Sequence, residues 1–351
     1  MSVRFSLWLA NAPFFQLGLL VLLTLTAPNV LLADRFRTVV LSEAFESEGA
    51  AIADLDDDDV ADIISGAFWY KGPDFQTRHT YAEAKEYSIA GYSDYFFTFA
   101  HDFDDDGDID ILSIPIPGGA AQLHLNPGHS EIGADLTWPS HLVLKDVGNE
   151  SPTLVDFDGD GDMELVCIQG GEFGYAKPDL DLTHHWKFEA IGQRAGLGRF
   201  THGLGVGDVD GDGKMDLLER NGWWRQPAEE DKAFQFYPAK FAESGGAQMF
   251  AYDFDGDGDN DIVSSQNAHG YGLCWFERRG SNLSDCFFVK HQIMGSKHSD
   301  NPYGLSISQL HALALADIDG DGVKDIVTGK RFWAHSGKDP GSQQLPVFVL
   351  V

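Results

Sequence analysis

Six short segments of this chain repeat one arrangement of acids, and acids spaced in this way chelate cations. The first carries Asp54, Asp56, Asp58 and Asp62, the second Asp102, Asp104, Asp106 and Asp110, and the third Asp156, Asp158, Asp160 and Glu164. The fourth carries Asp208, Asp210, Asp212 and Asp216, the fifth Asp253, Asp255, Asp257 and Asp261, and the sixth Asp317, Asp319, Asp321 and Asp325. Counting from the first aspartate, the acids fall at positions one, three, five and nine in every copy. Three carboxylates at alternate positions surround one point. Glycine at position six permits a turn with positive φ, the carbonyl of position seven adds a ligand, and the ninth acid closes the shell. Hard oxygen donors in this number suit Ca2+ rather than Zn2+ or copper, and suit Mg2+ less well because it retains several waters. One Ca2+ per loop, up to six in all, is the expected cofactor.

Charge supports occupancy of these loops. Four carboxylates near one point make six like-charge pairs, each unfavourable by ~1 kcal/mol in water and by more where partly buried. The loops hold 30 of the 55 acidic residues in a chain of formal net charge -31, so the excess is concentrated there. Metal binding and fold stability are expected to be coupled. The first loop has Asp59 where the other five have glycine, which strains its turn. An EF-hand needs Glu at position twelve and a helix beyond it. Position twelve here is Ser65, Ser113, Cys167, Glu219, Ser264 and Thr328, and apolar pairs such as Ile63-Ile64 and Leu165-Val166 follow the ninth acid. An EF-hand is excluded.

Other candidate residues are less regular. His101, His202 and His311 shortly precede loop aspartates, His269 follows the fifth loop, and His298 and His335 flank the sixth. Three or more of them converging at one mouth of a central channel would favour an enzyme, holding a transition metal or exchanging protons; scattered histidines would favour a binding module. Trp69-Tyr70, Trp223-Trp224, Trp275-Phe276 and Phe332-Trp333 recur after the loops. Adjacent strand residues face opposite ways, so one of each pair is expected to pack inside and the other to be available for a sugar ring. Cys274 and Cys286 flank a predicted hairpin and are placed for a cross-strand disulfide. No nucleophile elbow, phosphate loop or dinucleotide fingerprint occurs.

The elements that position the loops follow from their period. First aspartates lie 48, 54, 52, 45 and 64 residues apart. A period near fifty with β-rich flanks predicts a β-propeller, an all-β fold of four-stranded blades. Around the second loop, FFTFAH enters, IDILSIPI leaves, and AQLHL and HLVLKD follow. A blade cannot bury both faces alone, so the blades must stack. Residues 34–351 are expected to form this one domain with six repeats. The ring is closed either by Phe36–Leu41 completing the last blade or by a seventh blade beyond Val351. Residues 1–33 contain the apolar run Phe14–Ala27 behind Arg4, which predicts a secretory signal peptide or an N-terminal anchor. Export, to a periplasmic or extracellular site, is expected, with no membrane span once a signal is removed. So acidic a surface excludes nucleic acid as a partner.

The loops resemble the FG-GAP/VCBS repeats of integrin-α-like β-propellers, whose D-x-D-x-D-G-x-x-D loops join the first two strands of a blade and hold calcium. The resemblance covers about residues 50–330, with six repeats where seven blades are usual. It implies a secreted, calcium-binding module that binds a protein or a glycan. The alternative is a secreted carbohydrate-active enzyme of sugar lyase or dehydratase type that uses channel histidines, a class this chain resembles loosely.

Overall fold

The computed structural model describes residues 39–133, 135–192, 196–229, 232–280, 282–300, 304–330, 334–343 and 349–350. Segment 1–33, Phe36 and the Phe332-Trp333 pair lie outside them. The described chain is all-β, relieved only by a 3-10 turn at His298–Asp300 and a four-residue helix at Ala334–Gly337.

Six antiparallel meanders follow one another. The first is β1 (Ala50–Ala53), β2 (Asp62–Ser65), β3 (Phe68–Lys71) and β4 (Thr77–Thr80). The second is β5 (Phe97–His101), β6 (Asp110–Ile114), β7 (Gly119–His124) and the first half of β8 (Ser140–Val155). The second half of β8 opens the third, with β9 (Glu164–Gln169), β10 (Glu172–Lys177) and β11 (Lys187–Ala190). The fourth is β12 (Leu204–Gly207), β13 (Asp216–Glu219), β14 (Gly222–Arg225) and β15 (Gln235–Pro238). The fifth is β16 (Gln248–Tyr252), β17 (Asp261–Ser265), β18 (Leu273–Arg279) and β19 (Phe287–Met294). The sixth is β20 (Leu310–Ala316), β21 (Asp325–Lys330) and β22 (Val349–Leu350). Every acidic loop joins the first two strands of its meander, and every ninth acid is the first residue of the second strand.

The apolar pair after each ninth acid explains the stacking. Adjacent strand residues face opposite sides of a sheet, and the two members enter different cores. Ile111 packs with Ile64 and Trp69 of the first meander, whereas Leu112 packs with Leu165 of the third. Val166 then joins Leu217, Leu218 joins Ile262, and Val263 joins Ile326. The sheets therefore pack face to face in sequence order, one to six. Each fully buried Leu or Ile contributes about 1.5–3 kcal/mol relative to exposure. Between the sixth and first meanders the described residues form no such core. A cavity of about 620 Å3 lies there, lined by Gly49 and Ala50, by Val327 to Lys330, and by residues of β5, β8, β16 and β20.

First strands meet one another: β8, β12, β16 and β20 lie side by side, and β12 pairs with β16 in parallel. That approach needs Gly205, because a Cβ there would stand 1.9 Å from the Met249 carbonyl oxygen.

Of Phe36–Leu41 only Val39–Leu41 is among the described residues, and it is not in a strand; the third strand of the last sheet is β22. Two expectations are corrected. Cys274 and Cys286 are free thiols: Cys274 is buried opposite Gln292, while Cys286 precedes β19. Trp69 and Tyr70 are both buried, at 1% and 2% exposure, so that pair offers no face to a ligand. Instead Trp69 stacks across the strands on His79, Trp223 on Tyr237 and Trp275 on His291, with centroids 4.3–4.7 Å apart. These aromatics recur because the outer hairpins are held by the same cross-strand stack.

Gly205→Ala should lower unfolding free energy in urea by about 1–3 kcal/mol, as overpacking does. An unchanged midpoint would contradict the close parallel approach of β12 and β16.

Candidate functional site

The six loops share one hydrogen-bond plan. In all six, the Oδ1 of the fifth-position aspartate accepts the backbone N–H two residues on, at 2.8–3.1 Å. In five, the first aspartate accepts the N–H of position six at 2.8–3.0 Å. The ninth acid turns back and accepts the N–H of position two in every loop, at 2.8–3.2 Å. The second oxygens of Asp62, Asp110, Asp216 and Asp261 accept from the N–H groups of Gly72, Asn126, Gln226 and Arg278 on the third strand or just beyond it. Glu164 is one methylene longer, and its Oε1 is buried without a partner.

Position six has positive φ throughout, including Asp59 at 63°, as its place in the repeat demanded. Position four is also left-handed in every loop, from Asp57 at 55° and Asp105 at 57° to Gly159 at 82°. The sequence signal for it was present but unread: glycine occupies position four in the four later loops.

Donor atoms converge. One ligand oxygen each from Asp54, Asp56 and Asp58 lies within 4.8 Å of the others, as do those of Asp102, Asp104 and Asp110, and of Asp156, Asp158 and Glu164. The third-position acids Asp56, Asp158 and Asp210 each keep a buried Oδ1 with no partner, an oxygen shaped for a cation. The donor set therefore fits a divalent ion.

The loops differ in a way not anticipated from their acids. A basic residue at the end of the third strand bridges positions three and five in three of them: Lys71 to Asp56 and Asp58, Lys177 to Asp158 and Asp160, and Arg225 to Asp210 and Asp212. The equivalent residue is Leu125 in the second loop and Glu277 in the fifth, where Arg279 stands 3.7 Å from Asp257. Among the described residues no lysine or arginine pairs with the second or sixth loop. Electrostatics follow this division. The hydrogen bond from Lys71 draws Asp58 below the usual carboxylate range, whereas burial and then the charge of Asp106 push Asp104 above it.

Burial pushes Asp110, Glu164 and Asp216 up to about 7 and Asp261 up to about 6, against the backbone N–H groups that favour their ionised forms.

Of the candidate histidines, three come together. The rings of His202, His269 and His311 lie 5.0–5.6 Å apart, centroid to centroid, with a ligand nitrogen of each within 4.8 Å of the others. Glu150, missed in the sequence because nothing around it repeats, faces them: its Oε2 is 3.2 Å from His202 Nε2 and 3.6 Å from His311 Nε2. His335 adjoins through Asp339, which lies 2.6 Å from it and 3.2 Å from His269. His101 instead packs on Phe103, and His298 bonds to the Gly304 carbonyl. Glu150, His311 and His335 border the 620 Å3 cavity, together with the exposed rings of Tyr92 and Phe200.

No helix of the described residues is long and apolar enough to cross a membrane. The FG-GAP-like repeat family matches residues 102–167, from the first aspartate of the second loop to Cys167 beyond the third. No curated protein matches the sequence. Among solved structures, the chain is similar to an Agrocybe aegerita lectin that recognises non-reducing terminal N-acetylglucosamine. Identity is 17%, with 86% of this chain and 79% of that one covered and a TM-score of 0.50. It is also similar to the V. cholerae biofilm matrix protein Bap1 (16% identity, 66% and 34% covered, TM-score 0.33) and to Bacillus licheniformis rhamnogalacturonan lyase PL11 (14%, 80% and 54%, 0.38).

Four buried acids with raised folded-state values make a pH prediction. Unfolded Asp and Glu titrate near ~4, so between roughly pH 4 and pH 7 the folded chain binds more protons and loses stability as pH rises. Stripped of metal, the protein should melt at a higher temperature at about pH 5.5 than at about pH 7.5. The reverse order would mean that these carboxylates are ionised in the folded chain. Residues 102–167 thus match an FG-GAP-like repeat, and the acidic loop within that match occurs six times along the chain.

Proposed function

We propose that the six meanders are the blades of a calcium-stabilised β-propeller, exported from the cell, that binds a glycan at the cavity between its first and last blades. The observation that carries the binding role is the cavity itself. Its volume, about 620 Å3, falls within the range of small-ligand sites. Phe200 and Tyr92 on its border are 40% and 41% exposed, so each can offer a ring to the face of a sugar. Glu150, Gln248 and Lys330 line the same space and supply acceptors and a donor for hydroxyls. The fold-level likeness to a lectin supports a glycan over a protein partner.

Calcium is the ion favoured by all-oxygen loops of this spacing. The bridging Lys71, Lys177 and Arg225 already offset part of the charge in their loops, so those loops should bind calcium more weakly than the second and sixth. Calcium titration should resolve two classes of site, and Arg225→Gln should move one site into the tighter class. A single class unaffected by the substitution would remove the role given to the basic residues. Each filled site adds about 2.7 kcal/mol when calcium stands at a hundred times its dissociation constant. A chelator should therefore lower the melting temperature strongly, and Asp257→Ala should lower it more than Asp179→Ala, which lies outside every loop.

A glycan array should show binding that Phe200→Ala weakens several-fold, the scale of ~0.5–1.5 kcal/mol for an aromatic contact. Binding unaltered by Phe200→Ala and Tyr92→Ala would place the glycan elsewhere.

The gathered histidines favour a second reading, the carbohydrate-active enzyme of lyase or dehydratase type. Release of unsaturated product from bound oligosaccharide would support it, and binding without turnover would support the lectin-like role.

A further inference from the structure

We propose that His202, His269 and His311 form a site for one borderline divalent transition ion of the Zn2+ class, with the Glu150 carboxylate beside it, chemically separate from the acidic loops. The three residues are far apart in sequence and are delivered by three meanders: His202 just before β12, His269 after β17, and His311 in β20. Nothing local requires them to meet, yet one ligand nitrogen of each falls within 4.8 Å of the others.

Their outer nitrogens are already engaged. His311 Nδ1 lies 3.1 Å from the Gln309 carbonyl. A carbonyl only accepts, so the proton sits on Nδ1 and leaves the Nε2 lone pair directed towards Glu150. His269 Nδ1 bonds the Asp339 carboxylate at 3.2 Å, the outer carboxylate contact that orients a metal-binding imidazole. His202 is the decisive member. Its side chain is only 13% exposed, and its buried Nε2 faces Glu150 Oε2 at 3.2 Å without an aligned hydrogen bond, a gap that a cation shared with the other two rings would close.

Donor chemistry selects the ion. Three neutral imidazoles suit Zn2+, and also Co2+, Ni2+ or Fe2+, whereas Ca2+ takes oxygen. Three protein nitrogens leave a position for water or substrate, as catalytic zinc sites do. Glu150 and His311 both line the 620 Å3 cavity, His202 lines a second cavity of about 480 Å3, and Phe200 lines both, so small molecules reach the cluster.

The test uses the full chain in excess Ca2+, which fills the loops, after removal of transition metals. Titration with Co2+ should produce the visible absorption of a four- or five-coordinate ion, saturating at a single equivalent and displaced by Zn2+. His202→Ala and His311→Ala should each weaken Zn2+ binding by at least the ~10–100-fold that loss of even an outer partner causes. His298→Ala, outside the cluster, should leave it unchanged. His269→Ala, at the more exposed rim, gives the same reading should either buried substitution prevent folding. Absence of Co2+ absorption in the folded wild-type chain, or Zn2+ binding that persists in the folded variants, overturns the proposal. Glycan binding measured without Zn2+ is independent of that result.

Discussion

One contact organises the molecule: the carboxylate that opens each second strand and folds back onto the backbone N–H of the loop's second residue. In five of the six repeats it is buried, so it cannot be left to water. It is pinned from one side by its own loop and, in four repeats, from the other by the third strand or the residue after it. Thus the acidic turn, the inner hairpin and the outer hairpin share a single anchor. The next two residues are driven into opposite cores, so the anchor also sets the register in which one sheet meets the next.

Charge and packing therefore pull against each other within a few residues. Like-charged oxygens are crowded at one corner of each sheet, directly above apolar pairs whose members are both buried in the second to fifth sheets. Such a corner is stable only if something positive or a proton joins it. The repeats answer in two ways. The first, third and fourth carry a lysine or arginine on the outer hairpin that bridges two acids, the fifth has Arg279 near Asp257, and the second and sixth have no such partner among the described residues. Six copies of one motif are thus not six copies of one electrostatic environment.

Much of this was legible in the sequence. The acids, the second-position apolar residue and the buried pair recur at fixed spacing, and the structure places each where a strand–loop–strand unit requires it. The glycine at position six announced its own left-handed turn. Other features were hidden for physical reasons. The Trp69, Trp223 and Trp275 repeats marked cross-strand stacks rather than exposed platforms, because an aromatic on an outer hairpin gains most from its neighbour. Phe200, Tyr92 and Glu150 sit in segments without periodicity, and only the tertiary arrangement shows that they border one cavity. His202, His269 and His311 could be shortlisted by their nearness to the loops, but no spacing tells which of six candidates will meet. Cys274 and Cys286 looked like a bridge because both border strands of one hairpin, but antiparallel pairing sets Cys274 opposite Gln292 and leaves Cys286 at the other end of the ladder, before Phe287.

The sixteen residues of Ser140–Val155 serve two sheets at once, the outer edge of the second and the inner edge of the third. Elsewhere a connecting segment separates consecutive sheets and can yield first under load or heat. Here no loop intervenes: the strand bends at the left-handed Asn149 (φ 76°) and passes directly from the ladder with β7 to the ladder with β9. These two neighbours should behave mechanically as a single block, the rigid keel against which the remaining sheets are laid.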